Sequence, residues 1–199
     1  YGEGRYNKFS RKIAQTFHFC FKCKGRGKGC DLCKGSGKLS DTSVQELLEA
    51  ALVPAFDAQG TKFHGCGRED VDVRMLGKGR PFVVELVQPK KRAIGLEELG
   101  HKINSSNVGL VEVHGLHFVK KQRVAQLKND EFLKIYSAKC ECEDRVDFVM
   151  LQKLLGQKFD IVQRTPQRVE KRRVDKERAK SAEITKAEQI SEKTFSVEI

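Results

Sequence analysis

Apolar positions recur along this chain with two different periods. Val44, Leu47, Leu48, Ala51, Leu52, Ala55 and Phe56 are spaced three or four residues apart, which predicts an amphipathic helix within Asp41 to Gln59. Ser43 and Glu46 form a capping-box pattern at its start, and Pro54 should kink or end it. Leu96, Leu99 and Ile103 predict a second helix ending near Asn104 to Asn107. Arg123 to Asp130 reads as a helix or turn, and Val146, Val149, Met150 and Leu154 predict a helix within residues 144–157, closed by Gly156. Period-two or continuous apolar runs predict strands at Pro81 to Val87, Val108 to Val119, Phe132 to Cys142, Phe159 to Gln163 and Thr194 to Ile199. The run Pro81 to Val87 is apolar at successive positions, so it is expected mid-sheet, covered on both faces. Phe132 to Cys142, with Lys134, Tyr136, Ala138 and Cys140 on one face, is expected to be a second central strand. These elements predict an α+β fold built on a mixed or antiparallel sheet flanked by helices.

The stretch His64 to Phe82 breaks this pattern. Three carboxylates (Glu69, Asp70, Asp72) stand among three arginines (Arg68, Arg74, Arg80), with glycines at 65, 67, 77 and 79. Val71 and Val73 alternate with the charges, predicting a strand or strand end with Asp70 and Asp72 on one face and Glu69 and Val71 on the other. Carboxylates beside arginines stay ionised, because a nearby positive charge lowers an acid's pKa. From the residues alone, an ionised Asp at a Gly-flanked turn is equally a nucleophile, a base or half of a structural ion pair.

Charge narrows the choice of partners. Lys and Arg number 38 against 27 Asp and Glu, a net charge of +11 in 199 residues. Residues 1–40 carry ten of the basic residues and two acids. A concentrated basic region suits a polyanion, since neutralising phosphates releases condensed counterions. The segment Gly4-Arg5-Tyr6-Asn7-Lys8-Phe9-Ser10-Arg11 interleaves aromatic and basic residues, a combination that can stack on unpaired bases and meet phosphates. No run is apolar enough to span a membrane and no amphipathic anchor helix is evident, so no membrane partner is expected.

The cysteines add a second kind of site. Cys20-x-x-Cys23-x-Gly-x-Gly and Cys30-x-x-Cys33-x-Gly-x-Gly are two copies of one motif, ten residues apart. Two such hairpins can close a tetrahedral four-thiolate shell, which predicts a structural zinc ion held by Cys20, Cys23, Cys30 and Cys33. Reduced thiols and the lack of a secretory signal suit an intracellular setting, cytoplasmic or nuclear. Cys66, Cys140 and Cys142 have no partner spacing and are expected as packing residues.

The motif stretch carries a family resemblance. Gly-Arg68-Glu69-Asp70-Val-Asp72-Val-Arg74-x-Leu-Gly-x-Gly-Arg80-Pro-Phe resembles the catalytic motif of the tenth pseudouridine synthase family, the archaeal and eukaryotic tRNA enzymes acting on T-arm uridines 54 and 55. The first segment, Gly-Arg5-Tyr6-Asn-Lys8-x-Ser-Arg, resembles the start of that family's catalytic domain. Lys134-Ile-Tyr136-Ser-Ala resembles its second motif, and Thr165-Pro-Gln-Arg168-Val-Glu-Lys171-Arg172-Arg173 resembles a later segment in which a His is frequent where Lys171 stands.

The resemblance implies that Asp70 is the nucleophile, that Arg68 helps hold a flipped-out nucleotide, and that Tyr136 stacks on the target base. It implies RNA contacts for Arg5, Tyr6, Lys8, Arg74, Arg80, Arg168 and Arg172, a tRNA T-arm as partner, and no organic cofactor. It implies paired strands within residues 174–192, where propensity alone would permit a helix. On this reading residues 1–16 open the catalytic domain, 17–39 are a zinc-binding insertion, and 40–199 continue the domain. The chain opens on Tyr1 rather than Met and is expected to be a piece of a longer protein, without the family's following Lys- and Gly-rich block and its THUMP-type region. Such a piece is expected to be a poor catalyst alone. The cysteine repeat also resembles the cysteine-rich region of DnaJ-type chaperones. The rival reading is therefore a non-catalytic zinc-containing RNA-binding or chaperone-like module.

Overall fold

The structure, a computed structural model, describes residues 1–130, 132–164 and 177–199. It divides into two compact units, Tyr1–Glu131 and Phe132–Ile199. Among the described residues all paired strands run antiparallel and four helices accompany them. The expected α+β class is what the chain adopts. No helix among the described residues is long and apolar enough to cross a membrane.

In the first unit, β1 (Gly2–Lys8), β2 (Gly60–Gly65), β3 (Met75–Val87) and β4 (Val111–Phe118) form one sheet in the order β2-β3-β1-β4. β3 is central, and alternation assigns its apolar run to two cores. Phe82 and Val84 join the larger one, with Tyr6 and the inner faces of α1 (Val44–Phe56) and α2 (Leu96–Ser106). Val83 faces the other way, onto Cys66 and Leu127 of α3 (Gln122–Asn129). α1 begins where the capping box places it: the Glu46 N–H donates to Ser43 Oγ, and Ser43 Oγ donates to the Glu46 carboxylate at 2.7 Å. Pro54 sits in its last turn, and Asp57 ends the helix in the left-handed region. α3 is tied to the sheet through Arg123, whose guanidinium meets Glu3 of β1 and Asp130.

β3 is irregular where it leaves the motif stretch. Tyr6 pairs with Arg80 and Lys8 with Met75, so residues 76–79 bulge out opposite Asn7 alone. The Asn7 amide donates to the Met75 and Gly77 carbonyls, and Arg5 Nε donates to the Lys78 carbonyl, pinning the bulge. Gly79 has φ +69, and a Cβ there would press on the Tyr6 carbonyl. Bulges of this kind re-aim a strand next to a site.

The second unit holds β5 (Ser137–Glu141), β8 (Lys186–Gln189) and β9 (Thr194–Glu198) in the order β5-β9-β8. A separate pair joins β6 (Lys158–Gln163) to β7 (Arg178–Glu183). α4 (Phe148–Lys153) starts at an Asp147 cap. Strands, not a helix, occupy the described part of residues 174–192. Two expectations need correction. The predicted central strand at 132–142 is the shorter β5, on the edge of its sheet. Its side chains are largely exposed, with Cys140 alone half-buried within β5, so the alternation there does not mark a buried face. The helix within 144–157 is six residues long, because Asp147 caps it late and Leu154 ends it.

Candidate functional site

The motif residues 66–74 are not a strand but a turn between β2 and β3, closed by the Val73 N–H on the Asp70 carbonyl at 3.2 Å. The period-two pattern survives in exposure even so. Glu69 is buried, Val71 and Val73 are half-buried, and Arg68, Asp70, Asp72 and Arg74 are exposed. Charge repeats on one side of the turn while the other side packs down.

Glu69 is the anchor. Tyr6 Oη donates to Glu69 Oε1 at 2.6 Å, and Gln15 Nε2 donates both to Glu69 Oε2 at 3.1 Å and to Tyr6 Oη at 2.9 Å. Arg80 Nε lies 2.7 Å from Glu69 Oε2, and Arg80 Nη1 donates to the Cys66 carbonyl at 2.6 Å. A buried carboxylate needs such partners, because a charge without them cannot be desolvated cheaply. Burial first, and the Glu69 charge next, raise the Tyr6 phenol well above its usual range, so it remains a donor. Gln15 is itself fixed, since its backbone carbonyl accepts the Gln45 N–H at the start of α1.

Lys8 holds the same turn from below. Its ammonium is fully buried and donates to the carbonyls of Ile13, Asp70 and Val71 at 3.1, 3.1 and 2.9 Å. Burial lowers its pKa, and the carboxylates of Glu69 and Asp72 work against that shift. Arg11 donates to the Asp72 carbonyl at 2.7 Å on the outer side. The backbone of Asp70 is therefore clamped while its carboxylate is presented at the surface.

The structure corrects three of the expected RNA contacts. Tyr6 is 0 % exposed and packs at 6.0 Å from both Phe63 and Phe82, so it has no face for a base. Lys8 and Arg80 are spent on the turn's carbonyls and on Glu69. In each case the signal was real but its meaning was internal, since polar groups that hold a buried turn look like a polyanion site in sequence. Arg5 and Arg74 do reach the surface, Arg5 partly. Arg168 and Arg172 lie outside the described residues. Tyr136 belongs to the second unit, where it is 54 % exposed and exchanges backbone hydrogen bonds with Ile199. Glu69 and Gln15 were missed as supports. The usable hint was that Glu69 falls on the opposite side of the alternation from Asp70.

The cysteine loop closes as its repeats suggest. The four Sγ atoms lie within 4.8 Å of one another and could hold a metal ion. Cys20 and Cys30 sulfurs are 3.8 Å apart, and Cys23 and Cys33 sulfurs 3.7 Å. Four thiolates at about 2.3 Å from one ion make a tetrahedron with edges of about 3.8 Å, so the set fits. The Gly27 and Gly37 N–H groups donate to Cys23 and Cys33 sulfur at 3.3 Å each. That Gly27 bond draws the Cys23 thiol down to about 7. At Cys30 the Cys33 N–H pulls down, but desolvation and the neighbouring thiols outweigh it and push the group up to about 11. The two hairpins pack backbone to backbone, and a Cβ on Gly27 or Gly37 would strike the Gly35 or Gly25 carbonyl.

The family model described as "Pus10, C-terminal" matches residues 1–199. The chain belongs to the Pus10 C-terminal family. Three curated members are each named tRNA pseudouridine synthase Pus10. The protein of Methanothrix thermoacetophila is 43% identical over 197 residues, covering 98% of this chain and 43% of that protein. That of Methanosphaera stadtmanae is 43% identical over 196 residues, 96% and 47% respectively. That of Methanocaldococcus jannaschii is 43% identical over 197 residues, 97% and 42%. The chain thus spans less than half the length of these Pus10 relatives.

Proposed function

We propose that this chain is the catalytic part of a tRNA pseudouridine synthase that isomerises uridine in the T-arm, at position 54, 55 or both. The observation that carries the reading is the clamped turn: Asp70 stands exposed on backbone fixed by Lys8 and Glu69, in a chain related along nearly its whole length to proteins named for that activity. Asp70 is the nucleophile or base at the ribose. The glycosidic bond from N1 to C1′ breaks, the uracil turns, and a bond from C5 to C1′ forms. The C5 proton leaves and N1 takes up a proton from solvent, so the formula is unchanged. The base must first leave its stack. Arg68 beside Asp70 holds the flipped nucleotide and Tyr136 stacks on the uracil. Arg5 and Arg74, with Arg168 and Arg172, hold the phosphate backbone.

Cys20, Cys23, Cys30 and Cys33 hold zinc. Four thiolates close its shell, so it shapes residues 17–39 as an insertion within a domain of residues 1–16 and 40–199 and supplies no reaction chemistry. The isomerisation transfers no electrons and calls for no organic cofactor.

The test is position-resolved pseudouridine formation in unmodified tRNA by the full-length protein and by Asp70→Asn. T-arm modification that disappears in the variant, with tRNA affinity kept, is the expected result. Turnover by Asp70→Asn at the wild-type rate overturns the assignment of Asp70. Absence of modification by the wild type, with zinc and tRNA both bound, favours a binding module.

A further inference from the structure

The cysteine loop displays a surface that zinc binding does not explain. Phe19 is 64 % exposed, Phe21 75 % and Leu32 45 %. A loop held by four clustered thiols, three of them buried, has its core already, and large rings left in water at its outer face serve no folding purpose. Phe19 is nevertheless fixed. Its ring lies against the Gly25 backbone, where only glycine leaves room, and it is tilted against Phe17 with centroids 4.6 Å apart. The bridge between Phe19 and Lys38 closes the neck of the loop on the same side. Phe21 stands at the tip of the first hairpin, directly after a buried ligand cysteine.

The same loop is rich in cations. Residues 20–38 contain Lys22, Lys24, Arg26, Lys28, Lys34 and Lys38 against the single acid Asp31. Four thiolates and a divalent ion together contribute two negative charges, so the loop stays positive when loaded. Lys24 and Lys34 occupy equivalent places in the two hairpins, both with positive φ (52 and 48), and both are exposed. An acidic protein would satisfy the cations but leave the rings without a purpose, and an apolar protein face would bury unpaired lysines. Unpaired nucleotides satisfy both, because every base has a face to stack and every nucleotide a phosphate.

We infer that the cysteine loop is an RNA-binding platform on which Phe19 and Phe21 stack unpaired bases of the tRNA while Lys24, Arg26 and Lys34 meet the adjoining phosphates. The identity of the RNA as tRNA rests on the synthase reading; the stacking chemistry does not. The zinc then has a definite role, which is to hold the rings outward before the RNA arrives, so that little ordering remains to be done on binding.

The experiment measures affinity for unmodified tRNA by the full-length protein across a salt series, with zinc content determined for every variant. Stacking on an aromatic ring contributes roughly 1–3 kcal/mol per base, or about 5- to 150-fold in Kd. Phe19→Ala with Phe21→Ala should weaken binding at least tenfold at fixed salt, keep the wild-type salt slope and keep the zinc. Phe19→Tyr with Phe21→Tyr should bind as the wild type does. Lys24→Ala with Arg26→Ala should instead flatten the salt slope, by about 0.7 for each phosphate no longer neutralised on single-stranded RNA. Should the double Phe variant lose zinc, Phe21→Ala alone, whose ring is farther from the glycine backbone, carries the test. Zinc-replete Phe variants that bind tRNA within twofold of wild type overturn the platform, including the case in which the rings serve a protein partner. Failure of the synthase reading is separately visible, as tRNA binding without pseudouridine formation by the wild type.

Discussion

Two neighbouring carboxylates, Glu69 and Asp70, should behave in opposite ways. Glu69→Ala removes the acceptor for the Tyr6 hydroxyl and the Gln15 amide, and strips the ion pair from Arg80, whose side chain is 8 % exposed. What remains for that guanidinium is the Cys66 carbonyl. Breaking a buried pair from one side costs about 3–5 kcal/mol, because the surviving charge stays buried without its partner. Tyr6→Phe removes one hydrogen bond to a charged group and should cost about 1.5–3 kcal/mol. Asp70→Asn, on the exposed side of the same turn, should stay within about 0.5 kcal/mol of wild type. Urea unfolding followed by circular dichroism measures all three. A double-mutant cycle of Tyr6→Phe with Glu69→Gln should give a coupling of about 0.5–3 kcal/mol. A Glu69→Ala destabilisation below about 1 kcal/mol, or an Asp70→Asn destabilisation as large as that of Glu69→Ala, would refute the division of roles.

Further outcomes follow from the same geometry. Lys8→Met leaves the Ile13, Asp70 and Val71 carbonyls without their ammonium donor, and should cost about 1–3 kcal/mol for the carbonyls left unsatisfied. Faster amide exchange confined to residues 66–74 should accompany it, and unchanged exchange there would count against the clamp. Treatment with a chelator, or Cys20→Ser, should release residues 17–39 to protease while β1 to β4 stay protected; simultaneous cleavage of both would show the loop to be part of the core. His64 is pushed below its usual pKa of 6.5 by burial and by Lys128, with Glu85 opposing. The unfolded state then binds more protons between the folded pKa and 6.5, so this contribution is complete above 6.5 and is lost as pH falls through the folded value. Substituting His64→Gln should flatten the stability profile in that acidic window, and an unaltered profile would exclude His64 as its source.

Local signals along the chain were enough for several elements. The spacing of Val44 to Phe56 and the Ser43 box placed α1, because helix start and burial face are set within a few residues. The continuous apolar run 81–87 marked β3 as central, since only a strand covered on both faces tolerates it. The paired C-x-x-C-x-G-x-G units foretold the four-sulfur cluster, as each hairpin is a local structure. Strand pairing within 174–192 came from family resemblance and not from propensity.

Tertiary structure decided the rest. Whether a charged residue faces a substrate or holds up a turn depends on groups far away in sequence, and that is why Tyr6, Lys8 and Arg80 read as RNA contacts until β1 was laid beside β3. Glu69 finds Tyr6 sixty-three residues away and Gln15 fifty-four residues away. The four-residue bulge at 76–79 is likewise held by Asn7 and Arg5, which reach across to it from more than sixty residues away. Alternation along 69–74 correctly separated Asp70 from Glu69, because side-chain period is local. Which side would be buried was settled by the strands beneath it.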